Sequence, residues 1–258
     1  MSFGPDLQAC AALVERGDPD RFRAVMAAPV PARRILFPIY AANVEISRAP
    51  YVTQEPMIAE IRLQWWHDAL EEIASGAPVR RHEVVTPLAA ALPPDLARVF
   101  RQVVEARLWD VAREPFADRA DFEAHLDASA GTLLWVAARA LGEAEEAVVR
   151  RAGRALGLAN WLSAVPELVA MGLSPLPDDT PDAIRALARD ARADLAAIRA
   201  RRQAVSRAAA PAMLSLWSAD RVLAQAERDP SRVRAGTLGP GPASGALVLA
   251  LRALTGRW

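Results

Sequence analysis

Helical periodicity, interrupted repeatedly by proline and glycine, is the feature that most restricts what this chain can fold into. The segment 33–47 carries Leu36, Tyr40, Asn43 and Ser47 at spacings of four, three and four, which places them on one face of a helix. No stretch alternates apolar and polar residues as a half-buried strand does, and no segment repeats at a fixed period. The sequence therefore predicts an all-α protein.

Proline and glycine also predict where the helices begin and end. The predicted helices span residues 6–16, 18–28, 33–47, 56–74, 87–91, 94–111, 118–141, 143–171, 181–207 and 211–228, and an apolar segment follows at 246–258. The connections are short, and the helices on either side of each are equally apolar. We therefore predict a single domain over residues 1–258.

The predicted helix 56–74, like the predicted helix 33–47, has an apolar face. That face consists of Ile58, Ile61, Trp65, Ala69 and Ile73. Asn43, Arg62 and Gln64 lie among the apolar residues of the two helices, and this mixture is typical of a cavity wall as well as of a core. We expect the two faces to point toward each other.

Trp65 and Trp66 have two interpretations. Successive helical residues point about 100° apart, so only one indole can be central to a given face. Either one packs in the core while the other lies where two helices meet, or one forms the wall of an apolar pocket or contacts a partner.

Composition excludes several classes of function. The 31 acidic residues balance 31 basic ones, all of them arginine, so no electrostatic footprint for nucleic acid exists. Cys10 is the only cysteine, which rules out an intramolecular disulfide and favours a reducing compartment. The N-terminus lacks a secretory pattern, and no segment reaches the roughly 18 apolar residues that span a bilayer. We expect a soluble or peripheral protein.

Common catalytic and metal-binding patterns are missing from the sequence. His67, His82 and His125 have no spacing that places two of them on one helix face, so a zinc site is not predicted. Ser129 and Ser163 lie within predicted helices and lack the strand-turn-helix setting of a hydrolase nucleophile. No glycine-rich loop follows a strand, so a phosphate-cradling turn is not predicted either.

The terminal segment has two interpretations as well. Its apolar stripe consists of Leu247, Leu251, Leu254 and Trp258, with Arg252 and Arg257 near the end. This pattern suits a helix lying in a membrane interface, with tryptophan at headgroup level. It suits the last helix of a bundle equally. We expect any peripheral membrane contact to involve residues 243–258.

Four segments resemble the squalene/phytoene synthase family: FPIYAANVEISRAP, EPMIAEIRLQWWHDALEEI, LDASAGTLLWVAARALG and AGRALGLANWL. They occur in the family's order within residues 20–175. The resemblance implies an all-α isoprenoid-synthase-type helical bundle around a central cavity. In active members, two Asp-rich motifs on facing helices hold Mg²⁺ ions that bind the diphosphates of two prenyl substrates.

The first Asp-rich motif has lost its aspartates here. Its three positions fall on Ser47, Arg48 and Tyr51, and Pro50 lies between them. Metal ions must neutralise a diphosphate leaving group as its carbon–oxygen bond ionises, and Mg²⁺ requires carboxylate oxygens. Glu45 lies about 200° around the helix from Ser47, so it points away from the metal face.

The second motif is similarly depleted. Its asparagine is kept as Asn160, but its aspartates fall on Ala164 and Leu168, and only Glu167 remains. His125 stands where the family has a tyrosine before its Ala-Gly pair. The resemblance therefore implies no catalytic residue and no metal ligand, and Mg²⁺ is a cofactor only if the chain is an active prenyl transferase.

We predict a vestigial pocket in place of an active site. Its predicted residues are Tyr40, Asn43, Ser47, Arg48, Tyr51, Arg62, Trp65, Trp66, His125, Asn160, Ala164, Glu167 and Leu168. The segment NVEISRAPYVTQEPMIAEIRLQWW resembles a non-catalytic branch of the family, the assembly factors of respiratory complex I (NADH:quinone oxidoreductase). That branch implies a protein partner in complex I assembly and a place at the cytoplasmic face of a bacterial inner membrane. The alternatives are a Mg-dependent prenyl transferase and a protein that binds an isoprenoid lipid without reacting.

Overall fold

The computed structural model describes residues 4–53, 55–239, 244–255 and 258. Its helices are α1 (Pro5–Gly17), α2 (Pro19–Ala27), α3 (Val30–Arg48), α4 (Pro56–Ser75), α5 (Val85–Ala91), α6 (Pro94–Ala106), α7 (Leu108–Ala112), α8 (Arg119–Leu126), α9 (Thr132–Leu141), α10 (Glu146–Ala170), α11 (Pro181–Ala200), α12 (Ala210–Met213), α13 (Ala219–Arg228), α14 (Ser231–Arg234) and α15 (Ser244–Thr255). Within this part of the chain there is no β-strand, only an isolated bridge between Ala144 and Val205. The all-α prediction is confirmed.

Several helices begin where the local sequence predicts. Asp18 accepts a hydrogen bond from the backbone N–H of Arg21 and caps α2. Asp118 caps α8 in the same way, and Thr180 caps α11. Because such side chains satisfy N–H groups that have no partner within the helix, they fix the start of a helix locally. Pro50 follows the end of α3, and Ala49–Tyr51 form a 3-10 turn.

Three predicted helices are wrong in extent. The predicted helix 94–111 divides at Arg107 into α6 and α7, whereas the predicted helix 118–141 is continuous and contains a π turn over Asp127–Gly131 between α8 and α9. The predicted helix 211–228 is interrupted by a 3-10 turn at Leu214–Trp217, and 181–207 ends at Ala200. Apart from Gly131, which ends the π turn, these irregular segments contain no glycine or proline, so tertiary packing decides them. Helix α10, by contrast, continues through Pro166, although proline usually kinks or ends a helix.

Helix α3 lies at the centre of the bundle. Most of its residues are buried, and it packs against α1, α5 and α9. Helix α10 packs against the π turn, α9, α11 and α13. Gly153 and Gly157 on α10 face the π turn closely, since a Cβ atom on either would lie 2.6 Å from an atom of Ala130. The C-terminal half of α3, the π turn and the second half of α10 therefore surround a common space.

The apolar face predicted for α4 is wrong at its N-terminal end. Ile58 and Ile61 are 44% and 61% exposed, whereas Ala69 and Ile73 are buried. The helix packs chiefly on α6 and on the 3-10 turn after α3 rather than along the length of α3 itself. Its first turns consequently present apolar side chains to solvent.

Helix α15 packs on the bundle. It contacts α2 and the 3-10 turn at Leu214–Trp217, and it buries Leu249. Arg252 donates a hydrogen bond of 3.3 Å to the carbonyl of Leu216. Trp258 is buried, and its carbonyl accepts a hydrogen bond from Arg202. These contacts agree with the interpretation of the segment as the last helix of the bundle.

The outer face of α15 remains apolar. Leu251 and Leu254 are 61% and 84% exposed, and Val248 is exposed beside them. The side chains of Leu247 and Arg257 lie outside the described residues. Across the described part of the chain, no helix has the combination of length and apolar character that crossing a bilayer requires.

Candidate functional site

A cavity of about 400 Å³ lies among α3, the π turn and α10. We call it the central cavity. Predicted pocket residues that line it are Asn43, Ser47, Arg48, Tyr51, Asn160, Ala164, Glu167 and Leu168. The sequence positions of both depleted motifs therefore face one space, although they are more than a hundred residues apart. Asn160 and Glu167 are exposed, so the cavity opens to solvent on the α10 side.

The remaining predicted residues lie elsewhere. Arg62, Trp65 and Trp66 line a second pocket of about 440 Å³ together with Glu45. Glu45 and Ser47 point in nearly opposite directions from α3, so each lines a different pocket. Arg48 lines both.

Trp65 and Trp66 differ in burial. Trp66 is buried in the core, and Trp65 is half-buried at the pocket wall. Their rings meet edge to face with centroids 5.1 Å apart, a favourable arrangement for aromatic pairs. One indole thus packs in the core while its neighbour forms part of a pocket, so each of the two interpretations fits one ring.

Tyr40 supports the central cavity without lining it. Its side chain is fully buried, and its hydroxyl lies 3.2 Å from the hydroxyl of Ser215. The guanidinium carbon of Arg21 lies 4.9 Å from the centroid of its ring. Burial raises the pKa of Tyr40, so the hydroxyl stays neutral and connects α3 to the 3-10 turn at Leu214–Trp217.

His125 also lies outside the cavity lining, in an aromatic cluster. Trp109 and Phe116 stack with centroids 4.2 Å apart, and the ring of Trp161 lies 5.1 Å from that of His125. Nε2 of His125 is buried without a hydrogen-bond partner in the described residues. Burial lowers the pKa of His125 to about 4. The imidazole therefore packs as a neutral ring behind the cavity wall.

Lowering the pH from 7 to 5 is expected to reduce the free energy of unfolding by about 2 kcal/mol through His125. The folded-state pKa is about 4, whereas an unperturbed histidine titrates near pH 6.5. Stability from the neutral ring is therefore present above pH 6.5 and is lost as the pH falls toward 4, because only the unfolded chain takes up the proton. Urea unfolding at a series of pH values measures this slope.

His125→Phe is the matched variant for that measurement. It keeps the other histidines, and a phenyl ring suits the aromatic cluster around His125. We expect the variant to lose most of the slope between pH 7 and 5. An unchanged slope would assign the pH dependence to other groups.

Tyr51, at a position of the first depleted motif, donates a short hydrogen bond to another helix. Its hydroxyl lies 2.6 Å from Oδ1 of Asp110 on α7. Arg107 donates a 3.2 Å hydrogen bond to Oδ2 of the same carboxylate. The Asp110 side chain is completely buried. Burial and the Asp110 charge raise the pKa of Tyr51, so the phenol keeps its proton and remains a donor.

The carboxylates that line the central cavity are not arranged for metal binding. Asp18 caps α2 and forms an ion pair with Arg21. Asp110 is neutralised by Arg107, and Glu167 stands alone. Among the described residues, no group of three histidine, cysteine, aspartate or glutamate side chains could hold a metal. A protein usually holds each Mg²⁺ ion through one or two carboxylates together with substrate phosphates, and the fold implies several such ions between two facing helices. Glu167 is the single lining carboxylate outside an ion pair among the described residues, so the residues present do not fit that set of ions.

Sequence reasoning missed Asp18, Asp110 and the arginines that pair with them. Asp110 follows a helix break that no local signal predicts, and its partner Tyr51 lies 59 residues away. The sequence pattern indicates Asp18 only as an N-cap before Pro19 and does not place it at a cavity. Their position at the cavity depends on the packing of α2 and α7 around α3, which the sequence pattern does not contain.

The model of the squalene/phytoene synthase family matches residues 14–210. The chain belongs to this family, as its motifs indicated. A Drosophila melanogaster protein, "NADH dehydrogenase (ubiquinone) complex I, assembly factor 6 homolog", is 26% identical over 166 residues, or 61% of this chain and 50% of the relative. The chain thus spans about half the length of that relative.

Two solved structures share the helical isoprenoid-synthase fold. A dehydrosqualene synthase in complex with ligand is 13% identical, with a TM-score of 0.76 over 97% of this chain and 95% of that one. Squalene synthase HpnC from Alicyclobacillus acidocaldarius is 14% identical, with a TM-score of 0.59 over 97% of this chain and 94% of that one. At these identities the likeness establishes the fold alone.

Proposed function

We propose that this chain is a non-catalytic prenyl-synthase-like protein that assists the assembly of respiratory complex I. The observation that carries the proposal is the central cavity itself, which is open to solvent and in which Glu167 is the single lining carboxylate outside an ion pair among the described residues. The name of the Drosophila melanogaster relative supports the assembly role. So does the resemblance of the NVEISRAPYVTQEPMIAEIRLQWW segment to assembly factors.

The cations of the cavity do not replace the missing metals. Arg21 and Arg107 are held in ion pairs with Asp18 and Asp110. Arg48 has the freedom to contact a phosphate, and guanidinium groups bind phosphate well. A phosphate bound by arginine alone lacks the metal ions that neutralise the leaving group as a carbon–oxygen bond ionises. We therefore assign no catalytic residue.

The partner surface in this proposal comprises Arg48–Glu55 and the outer face of α15. Arg48 and Val52 are exposed and line the second pocket, and Glu55 is exposed directly before α4. Helix α15 adds the exposed Leu251 and Leu254. Exposed apolar side chains beside charged ones are typical of interaction surfaces. We place the protein at the cytoplasmic face of the inner membrane, held there through its partner or through α15.

A second candidate function is binding of an isoprenoid lipid in the central cavity without reaction. Leu126, Leu133 and Leu168 give this cavity an apolar wall, and about 400 Å³ is within the range of small-molecule sites. Native mass spectrometry of protein purified from its own host should then detect a bound lipid. A cavity that is empty in every preparation would count against this candidate.

Deletion of the gene in its host tests the proposed assembly role. We expect NADH:quinone oxidoreductase activity to fall several-fold while carotenoid and hopanoid contents stay unchanged, and we expect the full-length gene to restore the activity. A loss of isoprenoid product with normal oxidoreductase activity would instead identify a synthase.

The purified protein provides the complementary test. Incubation with farnesyl or geranylgeranyl diphosphate and Mg²⁺ should release no pyrophosphate above background. A family member with intact aspartates is the positive control for the assay. Turnover at about 1 s⁻¹ or faster, an ordinary enzyme rate, would overturn the non-catalytic assignment.

A further inference from the structure

The second pocket, which we call the α4 pocket, has a composition unlike the central cavity. It occupies about 440 Å³, and its residues are Glu45, Arg48, Ala49, Val52, Ile61, Arg62, Trp65, Trp66 and His82. Its inner wall is aromatic, because the rings of Trp65 and His82 lie 5.0 Å apart and Trp66 packs edge to face against both. A site of this size with an aromatic wall is typical of small-molecule binding.

Two arginines of the α4 pocket have no partner among the described residues. Arg48 and Arg62 take part in no ion pair or side-chain hydrogen bond there, although many of the chain's other arginines do. Glu45 is the only carboxylate among the described residues that line the pocket, so this lining keeps a net positive charge. Arginine binds phosphate oxygens through parallel N–H groups, and two arginines in one pocket favour an anion.

His82 adds a third donor. Its Nδ1 accepts a hydrogen bond of 3.1 Å from the backbone N–H of Val84. The proton of the neutral ring must therefore reside on Nε2, because the two nitrogens divide the roles of donor and acceptor. With the guanidinium groups of Arg48 and Arg62, this N–H gives the pocket an excess of donors over acceptors.

A partly apolar groove leads away from these donors. Ile61 lines the α4 pocket and also this neighbouring groove of about 380 Å³, in which Met57 and Leu108 lie beside Glu60, Gln64 and Glu105. The side chains of Met57, Ile61 and Leu108 are 49–72% exposed. A ligand with a charged head in the α4 pocket could thus place an apolar chain along α4, where burial of each methylene contributes about 0.8 kcal/mol.

We infer that the α4 pocket binds a monomeric amphiphile with a phosphate head and a single apolar chain. The head contacts Arg48, Arg62 and His82, and the chain lies along Ile61 toward Met57. Because the head site is concave, we commit to a ligand taken up as a monomer rather than to docking on a bilayer surface. The inference goes beyond the proposed assembly function and requires no partner protein, although Arg48 and Val52 of this pocket also belong to the proposed partner surface.

Calorimetric titration of the full chain with dodecyl phosphate, below its micellar concentration, tests this inference. We expect saturable binding of one molecule per chain and no saturable binding of the neutral dodecyl maltoside. Arg62→Gln should weaken binding on the order of tenfold, since one charge-assisted contact is lost. Arg62 is exposed and lines only the α4 pocket, so this variant should fold normally, which its thermal melting verifies.

Two further variants serve as controls. Arg228→Gln removes an exposed arginine on α13, far along the chain from the α4 pocket, and should leave the affinity unchanged. Ala164→Leu narrows the central cavity alone and should also leave it unchanged. Equal affinity in Arg62→Gln, loss of binding in Ala164→Leu, or binding only to mixed phosphatidylcholine and phosphatidylglycerol vesicles would each overturn the inference.

Discussion

Replacing Gly153 with alanine is expected to lower the free energy of unfolding by about 3 kcal/mol, at the upper end of the cost of overpacking. The added Cβ atom would lie 2.6 Å from the carbonyl oxygen of Ala130 and 2.7 Å from the Cα atom of Gly131. Both are backbone atoms of the π turn, so no flexible side chain can move aside. Either α10 or the π turn must shift, and both border the central cavity.

Urea unfolding of Gly153→Ala measures this effect. Gly239→Ala is the matched control, because a Cβ atom there meets nothing within 4 Å, and we expect it to change stability by less than about 0.5 kcal/mol. Gly157→Ala should cost an amount comparable to Gly153→Ala, since its Cβ atom would lie 2.6 Å from the Ala130 methyl group, which moves only with its backbone. A Gly153→Ala variant as stable as Gly239→Ala would show that the approach of α10 to the π turn is looser than described.

Removal of the Asp110 carboxylate has the second large expected effect. Asp110→Ala should cost about 3 kcal/mol, the lower end of the range for breaking a buried ion pair. The side chain is completely buried and holds both the Tyr51 hydroxyl and the Arg107 guanidinium. Its loss leaves the Arg107 guanidinium and the Tyr51 hydroxyl without their partner. The Arg107 side chain is only 18% exposed, so water replaces the lost carboxylate poorly.

The controls for Asp110 separate charge from packing. Glu143→Ala breaks an exposed ion pair with Arg139 and should change stability by less than about 1 kcal/mol. Adding Arg107→Met to Asp110→Ala should recover part of the loss, because the stranded cation is removed. Failure of the double variant to recover any stability would show that the cost of Asp110→Ala arises from packing rather than from the unpaired charge.

The helices that the sequence predicted well are those with local boundary signals. Helices α2, α4, α6 and α11 have proline in the first turn, and the predicted starts agree with the structure to within a residue. The break at Arg107 and the π turn at Asp127–Gly131 were missed because the residues there are compatible with a helix. The interior sets both features, since Arg107 pairs with Asp110 and the π turn packs on Gly153.

The part of the candidate site that the sequence indicates lies in the motifs that match the squalene/phytoene synthase family. Ser47, Tyr51, Ala164 and Leu168 line one cavity. The interactions that neutralise the cavity were not predictable, because the Tyr51–Asp110 hydrogen bond joins separate helices. The position of Arg62 in a different pocket likewise follows from how α4 crosses the end of α3.

The π turn at Asp127–Gly131 has a consequence for comparing relatives of this chain. The amide of Thr132 reaches back five residues to the carbonyl of Asp127, so the turn accommodates one residue more than a continuous α-helix would. In an uninterrupted α-helix an inserted residue would rotate all later residues by about 100°, and the wider π turn absorbs that rotation. A homologue with a one-residue deletion at this turn would therefore form a continuous α-helix and still present the same face of α9 to the cavity, and alignments should place the gap within the turn and be anchored on the packing against α10.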